Sequence, residues 1–237
     1  VYAHSGGQLY RIDTTTLAPQ AIGPLTGLGA QSLTDLAVDR DDNMVGITLD
    51  KLVSIDPATG ATTLIRDLSQ SAQGFTSLSF VPTDLSDPTS DERLVAANDQ
   101  GAVYEIDPAT GDATEIGSYG TVAGGVVRSS GDLIAVSGFG IYATVTIGDT
   151  LSDPDHLARI DPATWIATPL GIGTSYDRIF GLGFWAGTIY GFVDDGPTAQ
   201  SGAFITLDPN TGASTLVEAG AIRWFGAGVA TDAPIIE

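Results

Sequence analysis

Leu52-Val53-Ser54-Ile55-Asp56-Pro57-Ala58-Thr59-Gly60 is one copy of a unit that occurs five times along the chain. Two copies match it closely: Val103-Tyr104-Glu105-Ile106-Asp107-Pro108-Ala109-Thr110-Gly111 and Phe204-Ile205-Thr206-Leu207-Asp208-Pro209-Asn210-Thr211-Gly212. Leu157-Ala158-Arg159-Ile160-Asp161-Pro162-Ala163-Thr164 runs into Trp165 instead of glycine. Leu9-Tyr10-Arg11-Ile12-Asp13 runs into Thr14-Thr15-Thr16 and lacks both proline and glycine. Alternating bulky residues make a strand. The aspartate then accepts backbone N–H groups just ahead of it, proline presets φ, and glycine accepts a positive φ. A return strand follows, as in Thr62-Thr63-Leu64-Ile65 and Ala113-Thr114-Glu115-Ile116. The five aspartates therefore read as turn caps, not as a ring of metal ligands.

Successive aspartates lie 43, 51, 54 and 47 residues apart, and 42 separate Asp208 from Asp13 around the chain ends. Such periods suit a four-stranded propeller blade of roughly 40 to 50 residues. A second pattern precedes each turn and reads as the innermost strand. Its copies are Leu33–Val38, Phe75–Phe80, Val122–Val127, Ile179–Phe184 and Trp224–Val229. Their third residues, Asp35, Ser77, Gly124, Gly181 and Gly226, are all short, as crowding about an axis requires.

Val1–Asp13 aligns without a gap on Val95–Asp107, so the chain starts at a second strand. Only residues 224–230 remain to give that blade its innermost strand. The expected fold is all-β: a five-bladed β-propeller of four-stranded antiparallel blades, closed by N- and C-terminal strands in one blade. Its single domain divides at about 222–237 with 1–24, then 33–68, 75–119, 122–173 and 177–220.

The 237 residues include no cysteine, two histidines, 29 acidic residues and nine basic ones, for a net charge of −20. Disulfides, thiolate nucleophiles and cysteine-based metal centres are excluded. So negative a surface repels phosphate backbones and anionic lipid heads, so nucleic acid is not an expected partner. No apolar run approaches the roughly 18 residues of a membrane span, and membrane insertion is not expected. The chain begins at Val1, within a blade, which suggests a removed upstream segment and an extracytoplasmic location.

Loops between second and third strands share a face with the blade-to-blade crossings. Two neighbouring blades carry long ones, residues 137–156 and 193–203, and long loops on a rigid scaffold tend to carry function. The candidate ligand-binding residues are His4, Asn98, Tyr119, Tyr142, Tyr176, Asp177, Arg178, Asp194, Asp195 and Arg223. Calcium is the ion the acidic loops suit best, with Asp149, Asp153 and Asp155 as hard oxygen ligands. Asp39, Asp41, Asp42 and Asn43 form a similar run on the opposite face. Neither run has the spacing of a twelve-residue calcium loop, and no cofactor is expected.

A glycosidase needs two facing carboxyl groups, whereas the expected innermost strands offer Asp35 alone. No G-x-S-x-G, Walker loop, H-E-x-x-H or dinucleotide fingerprint occurs, and no catalytic residue is assigned. The Leu-Tyr-x-Ile-Asp-Pro-x-Thr-Gly blades resemble those of bacterial secreted propeller proteins, many of unassigned role. Size and blade number are also similar to the five-bladed lectin tachylectin-2, which implies sugar pockets between blades. These loops differ from blade to blade, so five equivalent sugar sites are not expected. The expectation is a non-enzymatic binding module for a protein, peptide or glycan on the long-loop face. The alternative is a calcium-assisted hydrolase or lyase with acidic residues at the channel mouth.

Overall fold

A computed structural model describes residues 1–68, 74–148 and 153–235. The fold is a five-bladed β-propeller of antiparallel sheets. Blade 1 joins β1 (Tyr2–His4), β2 (Gln8–Ile12) and β3 (Pro19–Pro24) to the last strand, β21 (Gly226–Gly228). Blade 2 is β4 (Asp35–Val38), β5 (Met44–Ile47), β6 (Lys51–Ile55) and β7 (Thr62–Asp67). Blade 3 is β8 (Phe75–Pro82), β9 (Glu92–Asn98), β10 (Ala102–Ile106) and β11 (Ala113–Ser118). Blade 4 contains β12 (Thr121–Val122), β13 (Gly125–Val136), β14 (Gly140–Ile147), β15 (His156–Ile160) and β16 (Ala167–Pro169). Blade 5 is β17 (Ile179–Trp185), β18 (Thr188–Asp194), β19 (Gly202–Leu207) and β20 (Ser214–Gly220).

The ring closes as the repeat requires. Tyr2, Ala3 and His4 pair antiparallel with Gly228, Ala227 and Gly226. The innermost strands β21, β4, β8, β13 and β17 then follow one another around the axis. One apolar cluster lies between each adjacent pair of blades, so the core is five wedges instead of one centre.

All five turn aspartates act as caps. Their carboxylates accept the N–H of Thr15, Ala58, Ala109, Ala163 and Asn210 at 2.7–3.0 Å. Gly60, Gly111 and Gly212 take positive φ at the turn ends (77°, 74° and 69°). In the two drifted copies Trp165 and Leu17 adopt the same left-handed conformation (64° and 59°). The turn shape therefore persists after its glycine is lost, at a cost of roughly 1 kcal/mol or more per residue.

Blade 4 departs from the expected register. Val122 pairs with Gly125 in a short hairpin, and the innermost strand proper continues through Leu133–Val136. A three-residue bulge between Ser129 and Leu133 shifts the chain, so Asp132 occupies the place assigned to Gly124. The Gly124-Gly125 pair imitated the small-residue signature. As a result Gly140–Ile147, expected in the 137–156 loop, is the second strand.

Candidate functional site

Where the innermost strands begin, the axis opens into a cavity of about 560 Å³. This is the face of the crossings and the second-to-third loops. Around the rim stand Thr34, Thr76 and Ser130 from blades 2, 3 and 4, and Phe180 and Phe225 from blades 5 and 1. One half of the funnel thus carries hydroxyl groups alongside Leu33 and Leu49, and the other carries two aromatic rings, 6.2 Å apart and tilted by 32°.

The aromatic half comes from a local duplication. Arg178-Ile179-Phe180-Gly181 and Arg223-Trp224-Phe225-Gly226 enter the axis from adjacent blades. Each arginine lies over its own phenylalanine, with Cζ 5.3 Å from the ring centroid in both. Both arginines also reach Asp194, at the end of β18. Arg223 donates Nε–H to Oδ1 at 2.6 Å and Nη2–H to Oδ2 at 3.0 Å, while Arg178 donates Nη2–H to Oδ2 at 2.9 Å. The Asp194 side chain is fully buried. Burial alone would raise its pKa. Hydrogen bonds from Arg223 and the Gly196 N–H, with the charges of both arginines, outweigh burial and hold it low. A buried carboxylate left without such partners would be strongly destabilising.

One residue further in, the ring is Asp35, Ser77, Asp132, Gly181 and Gly226. Asp35 accepts the N–H of Leu36 and, across to blade 3, of Leu78, both at 2.8 Å. Asp132 repeats the device, accepting from Leu133 in its own blade and from Leu182 in blade 5. The two carboxyl groups meet, and both are solvent-inaccessible. Burial pushes both well above the ordinary carboxylate range, and the nearby Asp132 charge raises Asp35 further.

His4 faces them from β1. A Cβ built on Gly226 would lie 2.5 Å from His4 Nε2 and 2.7 Å from Asp35 Oδ1, so only glycine fits between them. Nδ1 of His4 lies 2.9 Å from the Ser5 carbonyl, and Nε2 is buried without a partner. Burial lowers the imidazole pKa to about 4. The Tyr119 hydroxyl is likewise buried and lies toward Ser77 and Asp132.

The sequence-derived candidates fall into three groups. Arg178, Asp194 and Arg223 come together at the funnel. His4, Tyr119 and Tyr142 lie inside: all three are buried, with Tyr142 in β14 against Phe139 of the preceding turn. They have no open surface to offer a ligand, because the register shift and the crowded axis turn them inward. The others belong to loop construction. Asn98 Oδ1 accepts the N–H of Gln100 and Ala102, and Asp195 accepts the Ser201 hydroxyl at 2.8 Å. Tyr176 packs against the wedge between blades 4 and 5, with the half-buried Asp177 beside it.

Of the calcium candidates, Asp149 lies outside the described residues, and Asp153 is exposed. Asp155 is buried, accepts the Ile179 N–H at 2.8 Å, and has its pKa raised to about 7 by burial. Asp39 is occupied by the N–H groups of Asp41 and Asn43. Among the described residues no group of three or more His, Asp or Glu is placed to hold a metal ion. Phe180, Phe225 and Asp132 were missed from sequence. The repeated Arg-x-Phe-Gly was the available signal for the first two.

The sequence matches no protein-family model and no curated protein. Solved structures do match. A symmetrical protein of de novo evolutionary emergence is 16% identical, covers 98% of both chains and gives a TM-score of 0.54. A protein of unknown function from Bacteroides thetaiotaomicron is 15% identical, with a TM-score of 0.51. The match covers 80% of this chain but 52% of that one, so this chain spans about half its length. A gluconolactonase from Xanthomonas campestris is 19% identical over 92% of this chain and 72% of its own, with a TM-score of 0.47. The structural neighbours are propeller-like and mostly of unknown function, and the likeness is one of fold alone.

Proposed function

We propose that the protein is a non-enzymatic binding module that takes a glycan, peptide or protein group into the axial funnel on its loop-bearing face. One observation carries the proposal. The funnel wall offers two phenylalanines, Leu33 and Leu49, several hydroxyls and one guanidinium, and among the described residues no carboxylate lines it. Concave sites with apolar walls and a few placed polar groups suit recognition. A calcium-assisted hydrolase needs carboxylates converging at the mouth. Here Asp35 and Asp132 lie sealed one layer down, with their oxygens spent on backbone N–H groups.

A glycan array and a peptide library, probed with wild type and with the Phe180→Ala/Phe225→Ala double variant, test the proposal. Binding by wild type that the double variant loses, with its melting temperature kept within a few degrees, is the expected result. Binding that survives removal of both rings would place the site elsewhere.

A further inference from the structure

The funnel is asymmetric in charge as well as in polarity, and this asymmetry names a ligand class. Resting on the binding role proposed above, we infer that the funnel takes a sugar acid, its carboxylate on Arg178 and its hydroxyls toward the Thr34, Thr76 and Ser130 half. Among the described residues, Arg178 is the only ionisable one lining the cavity. Asp194 takes only the Nη2 donor, and Nε is buried away from the cavity, so any ligand meets the exposed end of the guanidinium. Asp194 is already held at both oxygens by Arg223, so two guanidinium charges share one carboxylate. The side chain is 36% exposed and rests over the Phe180 ring, which with Asp194 holds it in place. A guanidinium so fixed, beside a cavity, prefers a carboxylate to a neutral hydroxyl.

The remaining wall selects the rest of the ligand. The Phe180 and Phe225 rings suit the C–H face of a pyranose, and the opposite hydroxyls suit its O–H groups. Size and charge argue against a polyanion. The chain carries −20 overall, so repeated negative charge is repelled before it reaches the funnel, while a single carboxylate need satisfy only the local field. Asp177 and Asp195 stand nearby on the crossing and the loop, and neither lines the cavity.

Titration calorimetry on the intact chain tests the inference with three ligands: free glucuronate, glucose, and an oligosaccharide ending in one glucuronate. Glucuronate is expected to bind about tenfold or more tightly than glucose, the value of one charge-assisted hydrogen bond. Arg178→Gln should abolish that preference and Arg178→Lys should keep part of it; Arg223 still holds both Asp194 oxygens in each variant, so both should stay folded, with Arg178→Gln melting somewhat lower. The oligosaccharide tells a chain-end ligand from a free acid by binding more or less tightly than glucuronate itself. Equal affinity for glucuronate and glucose, no binding of either, or a preference that survives Arg178→Gln would overturn the inference. The array with the double phenylalanine variant decides the binding role separately: neutral ligands lost on removal of the rings would leave that role standing with the acid preference disproved.

Discussion

Blades 5 and 1 meet the axis with phenylalanine and glycine, while blades 2, 3 and 4 meet it with hydroxyl and carboxyl groups. The two halves solve the same crowding problem differently. In the glycine half the backbones approach directly: a Cβ on Gly181 would lie 2.8 Å from the backbone of its neighbour at Gly226 and Ala227. In the other half Asp35 and Asp132 insert side chains that bond the next blade's N–H groups. Close packing of the glycine half leaves room across the axis for the polar layer, while Phe180 and Phe225, one residue above those glycines, form the aromatic wall on their own side.

Removing residues 222–237 deletes β21 and with it the closing strand of the glycine half. The expected outcome is loss of the whole cooperative unfolding transition, followed by circular dichroism on heating. A soluble truncation that melts cooperatively would show the two halves to be independent.

Titration should separate the halves next. His4 belongs to the glycine half, and its pKa falls from 6.5 unfolded to about 4 folded through burial. Its contribution is therefore complete above pH 6.5 and lost as pH drops toward 4, amounting to about 3 kcal/mol. His4→Gln should flatten that limb in urea titrations run across the range. The turn aspartates Asp13, Asp56, Asp107 and Asp208, held low by hydrogen bonds, lose their contributions only below the ordinary value of 3.8. Asp35 and Asp132 act in the opposite sense. Their raised values mean that stability declines as pH climbs above 3.8 and through the folded values, and Asp132→Asn should reduce that decline.

Smaller effects distinguish the halves at single positions. Gly181→Ala forces a methyl group against backbone and should cost about 1–3 kcal/mol. Ser77→Ala, on the hydroxyl side, removes the acceptor of the Ala97 N–H and should cost about 1 kcal/mol. Urea midpoints measure both, and a smaller loss for Gly181→Ala than for Ser77→Ala would erase the distinction drawn between close packing and side-chain bridging.

Much of this fold was legible because the turn chemistry is local. Asp56, Pro57 and Gly60 specify their turn regardless of what surrounds them, and five copies gave blade number and closure. Asp132 was not legible, because a bulge is set by how two strands meet in space. Gly124-Gly125 supplied a nearby decoy with the right composition. The site was half legible: Arg178, Asp194 and Arg223 could be named singly from loop position. Their convergence on one carboxylate depends on adjacent blades and is written in no single segment.

The antiparallel pairing of β1 with β21 also fixes orientation. Strand β1 runs toward the funnel and β21 runs away from it, so Val1 and the segment after Gly228 emerge together on the far side, where Pro234 meets Ala186. Any stalk or neighbouring module attached at either end would hang from that underside, and the open mouth would point outward, clear of its support.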